Sequence, residues 1–227
     1  MKDWINITSI IYFIILSIVI LIGMVRFLRL TIPFKLLLLY VLTTLLGELA
    51  SKFFAIKYKN NMPVSHISAM TEFILNALIY YFLFRSMVLK KVILICIPAF
   101  ITFFIINSIF FQSYKYVFPS NSLMTSGMFY AVCSLLLFKQ MLSYPTQINI
   151  TRQSIFWYNI GMLFYSTTIF LNWGLLNYFV NHKLNPILLY KCSIIINFIF
   201  YILLGISLLI DEKEIAQDNV WKKISLY

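Results

Sequence analysis

The chain has 227 residues, of which 62% are hydrophobic and 11% charged, and its formal net charge is +11. A soluble domain has about half apolar and about a quarter charged residues, so this composition excludes an ordinary soluble fold. The three cysteines all fall within apolar runs and lack the spacing of a disulfide framework or a zinc site. The sequence therefore predicts no bound metal and no cofactor.

Seven apolar runs follow one another along the chain, each bounded by charged residues, proline or a polar cluster. They cover approximately residues 4–26, 33–56, 66–84, 92–111, 121–141, 154–180 and 186–210. Backbone groups in lipid must be satisfied within their own segment, so apolar runs of about 20 residues indicate helices. The sequence predicts an all-α integral membrane protein, with seven transmembrane helices in one bundle over residues 1–210 and a short cytoplasmic tail over 211–227.

Lysine and arginine in the short connections predict the orientation, because they accumulate on the cytoplasmic side. The residues on the more basic side are Arg26, Arg29, Lys35, Arg85, Lys90, Lys91, Lys139, Arg152, Lys213, Lys222 and Lys223. This places the N-terminus outside and the C-terminus in the cytoplasm. We expect the basic inner rim to attract anionic lipids, at about 1 kcal/mol per residue, so the positive charge requires no nucleic acid partner. The composition also fits an AT-rich genome, and we expect a multi-pass protein of the bacterial inner membrane.

Aromatic side chains lie near the ends of several runs, where amphipathic rings suit the membrane interface. We interpret them as an anchoring belt rather than as a ligand cage. The residues of this predicted belt are Trp4, Tyr114, Tyr116, Trp157, Trp173, Tyr178 and Tyr190.

Two carboxylates stand out because no other acidic residue lies between residues 4 and 210. Glu48 belongs to the second run and Glu72 to the third. With a rise of about 1.5 Å per residue, each lies about 5 Å to the outer side of the middle of its run. The two runs are consecutive and antiparallel, so the sequence predicts that these carboxylates lie at one level, where they can face each other.

Other polar residues of the spans extend this pair into a predicted binding or proton-handling pocket. Lys52 follows Glu48 by one turn and can neutralise it, whereas Glu72 is expected to be protonated at neutral pH unless Lys191 reaches it. The pocket residues are Glu48, Lys52, His66, Glu72, Asn76, Asn172, Lys191 and Asn197. In the alternative interpretation, the same groups only hold helices together, at about 0.6 kcal/mol for each hydrogen bond.

A set of features in the first three runs and the sixth resembles a loose group of small uncharacterised multispan membrane proteins of bacteria. The features are Glu48 in the second run, Asn60 and Asn61 in the turn, His66 and Glu72 in the third run, and the stretch FWYNIGMLFYSTTIF in the sixth. The resemblance implies an architecture of about seven spans and positions worth testing. It implies no activity.

Three functions remain open from the sequence. The favoured one is a membrane sensor or interaction module, whose outward-opening pocket around Glu48 and Glu72 acts through a separate membrane or cytoplasmic signalling partner. The second is a proton-coupled small-molecule transporter or channel. The third is an intramembrane lipid-modifying enzyme with one glutamate as acid and the other as base. Because no nucleophile motif or metal-ligand set accompanies the carboxylates, an enzyme is not favoured.

Overall fold

The computed structural model describes residues 2–144, 149–185 and 187–211. In these ranges the chain forms seven long helices and no strand. The helices are α1 (Lys2–Val25), α2 (Ile32–Tyr58), α3 (Met62–Leu83), α4 (Met87–Ile106), α5 (Ser120–Ser143), α6 (Ser154–Asn181) and α7 (Ile187–Ile210). A π-helical turn, Asn107–Phe111, continues α4, and a single 3₁₀ turn, Ile150–Arg152, precedes α6. The all-α prediction is confirmed.

Two helices begin earlier than the apolar runs predict. Helix α3 begins at Met62 rather than at 66, and α4 begins at Met87 rather than at 92. In α3 the reason is Pro63, which stands in the first turn, where a missing N–H breaks no helical hydrogen bond. In α4 the first turn is capped by the Ser86 hydroxyl, so helical structure extends into the basic segment before the apolar run.

Six of the seven helices in the described part of the chain are long and apolar enough to cross a membrane. The chain is therefore a multi-pass membrane protein. Helix α6 is outside this set although it has 28 residues. It carries the polar residues Asn159, Ser166 and Asn172, which are buried between neighbouring helices and lower the mean hydropathy of the segment.

The helices form a closed ring with one helix outside it. Around the ring the order is α1, α2, α3, α5, α6 and α7, and α7 packs against α1. Helix α4 lies outside and packs mainly on α3. Some of these approaches are close: a Cβ on Gly127 of α5 would lie 3.2 Å from the main-chain carbonyl of Ser166 in α6. The ring interior is therefore bounded by side chains from six different helices.

Contacts between connections define the two ends of the bundle. At one end, here called the Asn60 end, the turn between α2 and α3 meets the connection between α4 and α5, and Asn60 Nδ2 donates to the Lys115 carbonyl at 2.8 Å. At the other, here called the Asp211 end, the loop before α2 meets the start of α6 and the end of α7, through Thr31, Ser154 and Asp211.

Asp211 is buried at its end of the bundle, with 4% of its surface exposed, although the sequence assigns it to the tail. The main-chain N–H of Thr31 donates to its Oδ2 at 2.7 Å, and the Ser154 hydroxyl donates to its Oδ1 at 3.1 Å. Arg26 Nη2 donates to the Asp211 carbonyl at 3.1 Å. This carboxyl joins three segments that are far apart in the sequence. The rest of the predicted tail, 212–227, lies outside the described residues.

Candidate functional site

A partly open cavity of about 170 Å³ lies inside the ring, in the half of the bundle nearer the Asn60 end. Its wall is formed by side chains of α1, α2, α3, α5, α6 and α7 and by Phe118 of the connection before α5. Glu48 and Glu72 both line it, and so does Asn197 of α7. Serine side chains supply much of the remaining polar surface, through Ser51, Ser65, Ser68 and Ser193.

The two carboxyls lie at equal depth. Glu48 is ten residues before Tyr58, where α2 ends, and Glu72 is ten residues after Met62, where α3 begins. Each is therefore about 15 Å from the Asn60 end. This agrees with the spacing of the two glutamates along their apolar runs, and the rotation of both helices turns the two side chains toward one cavity.

The surroundings of the two carboxyls differ. Glu48 is in polar contact with the Tyr12 hydroxyl and feels the positive charge of Lys52. Within the described ranges the Glu72 carboxyl receives no hydrogen bond and forms no ion pair; only its main-chain carbonyl is engaged, by Asn76 Nδ2 at 3.0 Å. The Glu72 carboxyl is thus a polar group inside the bundle that lines the cavity.

Tyrosines from different helices surround the carboxyls. Tyr12 of α1, Tyr165 of α6 and Tyr201 of α7 line the cavity, and Tyr40 of α2 lies behind it in polar contact with Tyr201. The Tyr12 and Tyr201 rings meet edge to face, with centroids 5.7 Å apart. Sequence reasoning missed this set. The available signal was that these tyrosines lie well inside apolar runs, where a hydroxyl needs a polar partner.

Trp173 and Phe118 form the aromatic part of the cavity wall nearest the Asn60 end. Their ring centroids are 4.4 Å apart. Both residues line the cavity. Trp173, which the sequence assigns to the anchoring belt, thus lines the pocket together with Tyr165 and Ile169 of the same helix.

A second cavity of about 160 Å³ adjoins the first between α1, α2 and α7. Glu48, Tyr12 and Asn197 line both cavities and form the wall between them. Lys52 lines only the second, and its Nζ lies 4.0 Å from the centroid of the Phe13 ring. The predicted pocket residue Lys52 is thus close to Glu48 but outside the cavity that contains Glu72.

His66 lies away from both cavities. It has 3% of its surface exposed, and its Nε2 is 2.9 Å from the Val117 carbonyl, which can only accept, so Nε2 carries the proton. Its Nδ1 is 3.2 Å from the Ser108 hydroxyl, and its ring meets Phe104 edge to face. His66 fastens the segment between α4 and α5 onto α3, and this segment carries Phe118 into the cavity wall.

Replacing His66 with alanine is expected to lower the free energy of unfolding by about 1–3 kcal/mol, because the Val117 carbonyl loses its donor and the buried His66 ring leaves a space. Thermal unfolding of the purified protein measures the effect. His182, exposed at the end of α6, is the matched control, and His182→Ala should change the midpoint little. Equal stability of the two variants would contradict the role of His66 as a fastening group.

The remaining predicted residues support the cavity from behind or lie apart from it. Asn172 is buried and donates to the Leu189 carbonyl at 3.3 Å and to Ser193, which lines the cavity. Asn76 is buried one turn beyond Glu72. Lys191 is exposed and lines neither cavity. The structure therefore brings Glu48, Glu72 and Asn197 together.

A series of buried polar groups continues from Glu72 toward the Asp211 end. Asn76 Oδ1 accepts from the Tyr158 hydroxyl at 3.3 Å. One turn further along α3, the Tyr80 hydroxyl lies 2.6 Å from that of Ser134. Asn159 Nδ2 donates to the Ser134 carbonyl at 2.9 Å. These groups, here called the polar ladder, are Asn76, Tyr158, Tyr80, Ser134 and Asn159.

Comparisons with known proteins supply no further assignment: no protein-family model, no curated protein and no solved structure matches this chain. Among the described residues, no three His, Cys, Asp or Glu side chains are grouped so that they could hold a metal ion. The chemistry that the cavity offers is therefore that of two carboxyls, five serine and threonine hydroxyls, three tyrosine hydroxyls, an amide and aromatic rings.

Proposed function

We propose that the protein is a seven-span membrane sensor or interaction module of the bacterial inner membrane. Its pocket around Glu48 and Glu72 opens outward and binds a small ligand. Binding changes the conformation of the bundle, and a separate signalling partner responds to that change. The observation that carries this proposal is the shared cavity, in which one carboxyl, Glu72, has no partner among the described residues. Side chains that serve only to join helices would be engaged with one another.

The orientation in this proposal puts the Asn60 end outside and the Asp211 end in the cytoplasm. It is supported by the basic residues of the connections at the Asp211 end, among them Arg26, Arg29 and Arg85. Helix α6 serves as the seventh span. Its 28 residues extend about 42 Å, more than the bilayer core of about 30 Å, and its polar residues face α5 and α7 rather than lipid.

The cavity and the Asp211 end share three helices, which supports transmission of a conformational change from one to the other. Helices α2, α6 and α7 line the cavity, and the ends of the same three helices meet around the Asp211 carboxyl. A ligand that shifts α7 relative to α2 therefore also changes the surface at the Asp211 end. That surface is basic, which suits a cytoplasmic partner or anionic lipid.

The test is Glu72→Gln, measured for stability and for rescue of a deletion strain. Because the carboxyl has no partner among the described residues, we expect the thermal midpoint to stay the same or rise, while rescue is lost. Gln140→Ala is the control. It removes contacts to the main chain of Arg85 and Leu83 away from the cavity, so it should lower stability and keep rescue. A Glu72→Gln variant that is less stable but still rescues would show that Glu72 joins helices.

Proton-coupled transport is the second candidate, and the polar ladder is the observation that favours it. The ladder extends polar groups from Glu72 along α3 for two turns toward the Asp211 end. A transporter predicts pH-gradient-dependent uptake by the purified protein in liposomes, reduced by Tyr80→Phe. A sensor predicts no uptake, with ligand binding unaffected by Tyr80→Phe.

A further inference from the structure

Two carboxyl groups line the cavity of a chain whose net charge is +11. Glu48 and Glu72 come from different helices, and among the described residues no lysine, arginine or histidine lines the cavity with them. Carboxylates within a bilayer are costly unless they are paired, protonated or in contact with water. An occupant that brings a positive charge would therefore be stabilised by both carboxylates at once.

The protein itself shows how an ammonium group is held next to this site. In the second cavity, the Lys52 ammonium lies over the Phe13 ring and interacts with the charge of Glu48. An aromatic face on one side and a carboxylate on the other form an arrangement that binds ammonium ions. The first cavity has the same two components, and no described residue brings an ammonium group into it.

Aromatic rings supply the second component in the first cavity. Trp173, Phe118, Tyr165 and Tyr201 line it together with Glu72. Trp173 provides the ring with the strongest attraction for cations, and such contacts are strongest when water is excluded. Rings alone would accept any apolar ligand, and carboxylates alone would accept a metal ion. Their combination favours an organic cation.

The volume limits the size of that cation. A cavity of about 150 Å³ holds one benzene molecule. The first cavity, at about 170 Å³, is slightly larger. It therefore admits a molecule somewhat larger than benzene and excludes long polyamines and whole lipids unless only part of them enters.

We propose that the cavity lined by Glu48, Glu72, Trp173 and Tyr165 binds a small organic ammonium ion, whose positive charge lies between the carboxyls and the aromatic rings. This inference rests on the proposed function, because it names the ligand class of the same pocket. Glu72 supplies the charge that selects the ligand, and the rings select an organic ion over an inorganic one.

The test uses choline and its neutral carbon analogue 3,3-dimethylbutan-1-ol, which share shape and number of non-hydrogen atoms. Tetramethylammonium and butylammonium complete the panel of cations. The full chain in lipid nanodiscs is titrated with each compound by calorimetry. We expect at least one of the three cations to bind at least 10-fold more tightly than the neutral analogue.

Two variants assign this preference to the site. Glu72→Gln keeps the shape of the side chain and should remove most of the preference for the cation, and Glu48→Gln should weaken it. Should Glu72→Gln fail to fold, Trp173→Leu serves instead, with a selective loss of cation affinity. Gln140→Ala, outside the cavity, should bind as the wild type does.

Equal affinity for the cations and the neutral analogue would overturn the proposal, and so would the absence of saturable binding by any cation of the panel. Retention of the full preference in Glu72→Gln would overturn it as well. Each of these results leaves the proposed function to be decided by the rescue experiment with Glu72→Gln. If the pocket functions with an uncharged ligand, the titrations would contradict this inference, while loss of rescue in Glu72→Gln would still support the proposed function.

Discussion

Replacing Asp211 with alanine is expected to destabilise the bundle by about 2–4 kcal/mol, because several buried donors lose one acceptor together. The main-chain N–H and hydroxyl of Thr31 and the hydroxyl of Ser154 all point at this carboxyl. No other residue of the described chain accepts from the Thr31 N–H. The change therefore separates the loop before α2 from the start of α6 and the end of α7.

Chemical or thermal unfolding of the purified protein measures this loss. Ser154→Ala is the matched control, since it removes a single hydrogen bond and should cost about 1 kcal/mol. An Asp211→Ala variant no less stable than Ser154→Ala would show that Asp211 does not join the three segments.

The same carboxyl predicts a pH dependence. Burial raises the pKa of Asp211, while hydrogen bonds from Thr31 and Ser154 and the charge of Arg26 oppose part of this rise. A carboxyl whose pKa is higher in the folded state binds more protons there. Its contribution to stability is therefore largest below its unfolded pKa of about 3.9 and falls as the pH rises through the folded pKa. Unfolding of the wild type and of Asp211→Asn is measured as a function of pH, and the difference in stability removes the contributions of the other titrating groups. This difference should decrease as the pH rises from about 4 through the folded pKa of Asp211.

Replacing Phe73 with alanine should produce the other large loss, about 3 kcal/mol or more. Phe73 is 1% exposed, and its ring stacks on that of Phe100 with centroids 3.6 Å apart. Phe129 of α5 lies against it at 5.0 Å. Lipid chains are as apolar as a phenyl ring, so most of this loss comes from packing and from the space left behind. The stack is a main attachment of α4 to the ring.

Phe82 provides the control for that experiment, because the same substitution on the same helix removes an exposed ring. Phe82 is 43% exposed, and Phe82→Ala should change stability by less than about 1 kcal/mol. Proteolysis within the connections on either side of α4 gives a second measurement, since a loosened α4 should be cleaved sooner in Phe73→Ala. Similar stability of the two variants would mean that α4 is held by other contacts.

Hydropathy and charge were sufficient to predict the helical class and most helix ends. They also pointed to Glu48 and Glu72, because carboxylates in apolar runs are rare and helix rise gives their depth. Rotation about a helix axis depends on packing, which periodicity shows only weakly in a chain that is apolar on most faces. For this reason the sequence did not reveal that Lys52 faces the second cavity, that α4 lies outside the ring, or that Tyr12 and Tyr201 complete the pocket.

Two other differences have local causes. The sequence predicts His66 in the pocket because it is polar and begins an apolar run. Its partners, Ser108 and Val117, lie between the end of α4 and the start of α5, 42 and 51 residues further along the chain. Asp211 follows the last apolar residue of the seventh run, so the sequence predicts that it belongs to the tail. Its burial depends on Thr31 and Ser154, which are distant in the chain and carry no pattern that links them to it.

The wall shared by the two cavities makes their occupants competitors. Glu48 is available to the Lys52 ammonium from one side and to a ligand from the other. A ligand that takes over Glu48 weakens the hold on Lys52, and by thermodynamic reciprocity a change at Lys52 alters ligand affinity by the same factor. Lys52 would therefore compete with such a ligand for Glu48, and ligand binding would change the contact between Lys52 and Glu48.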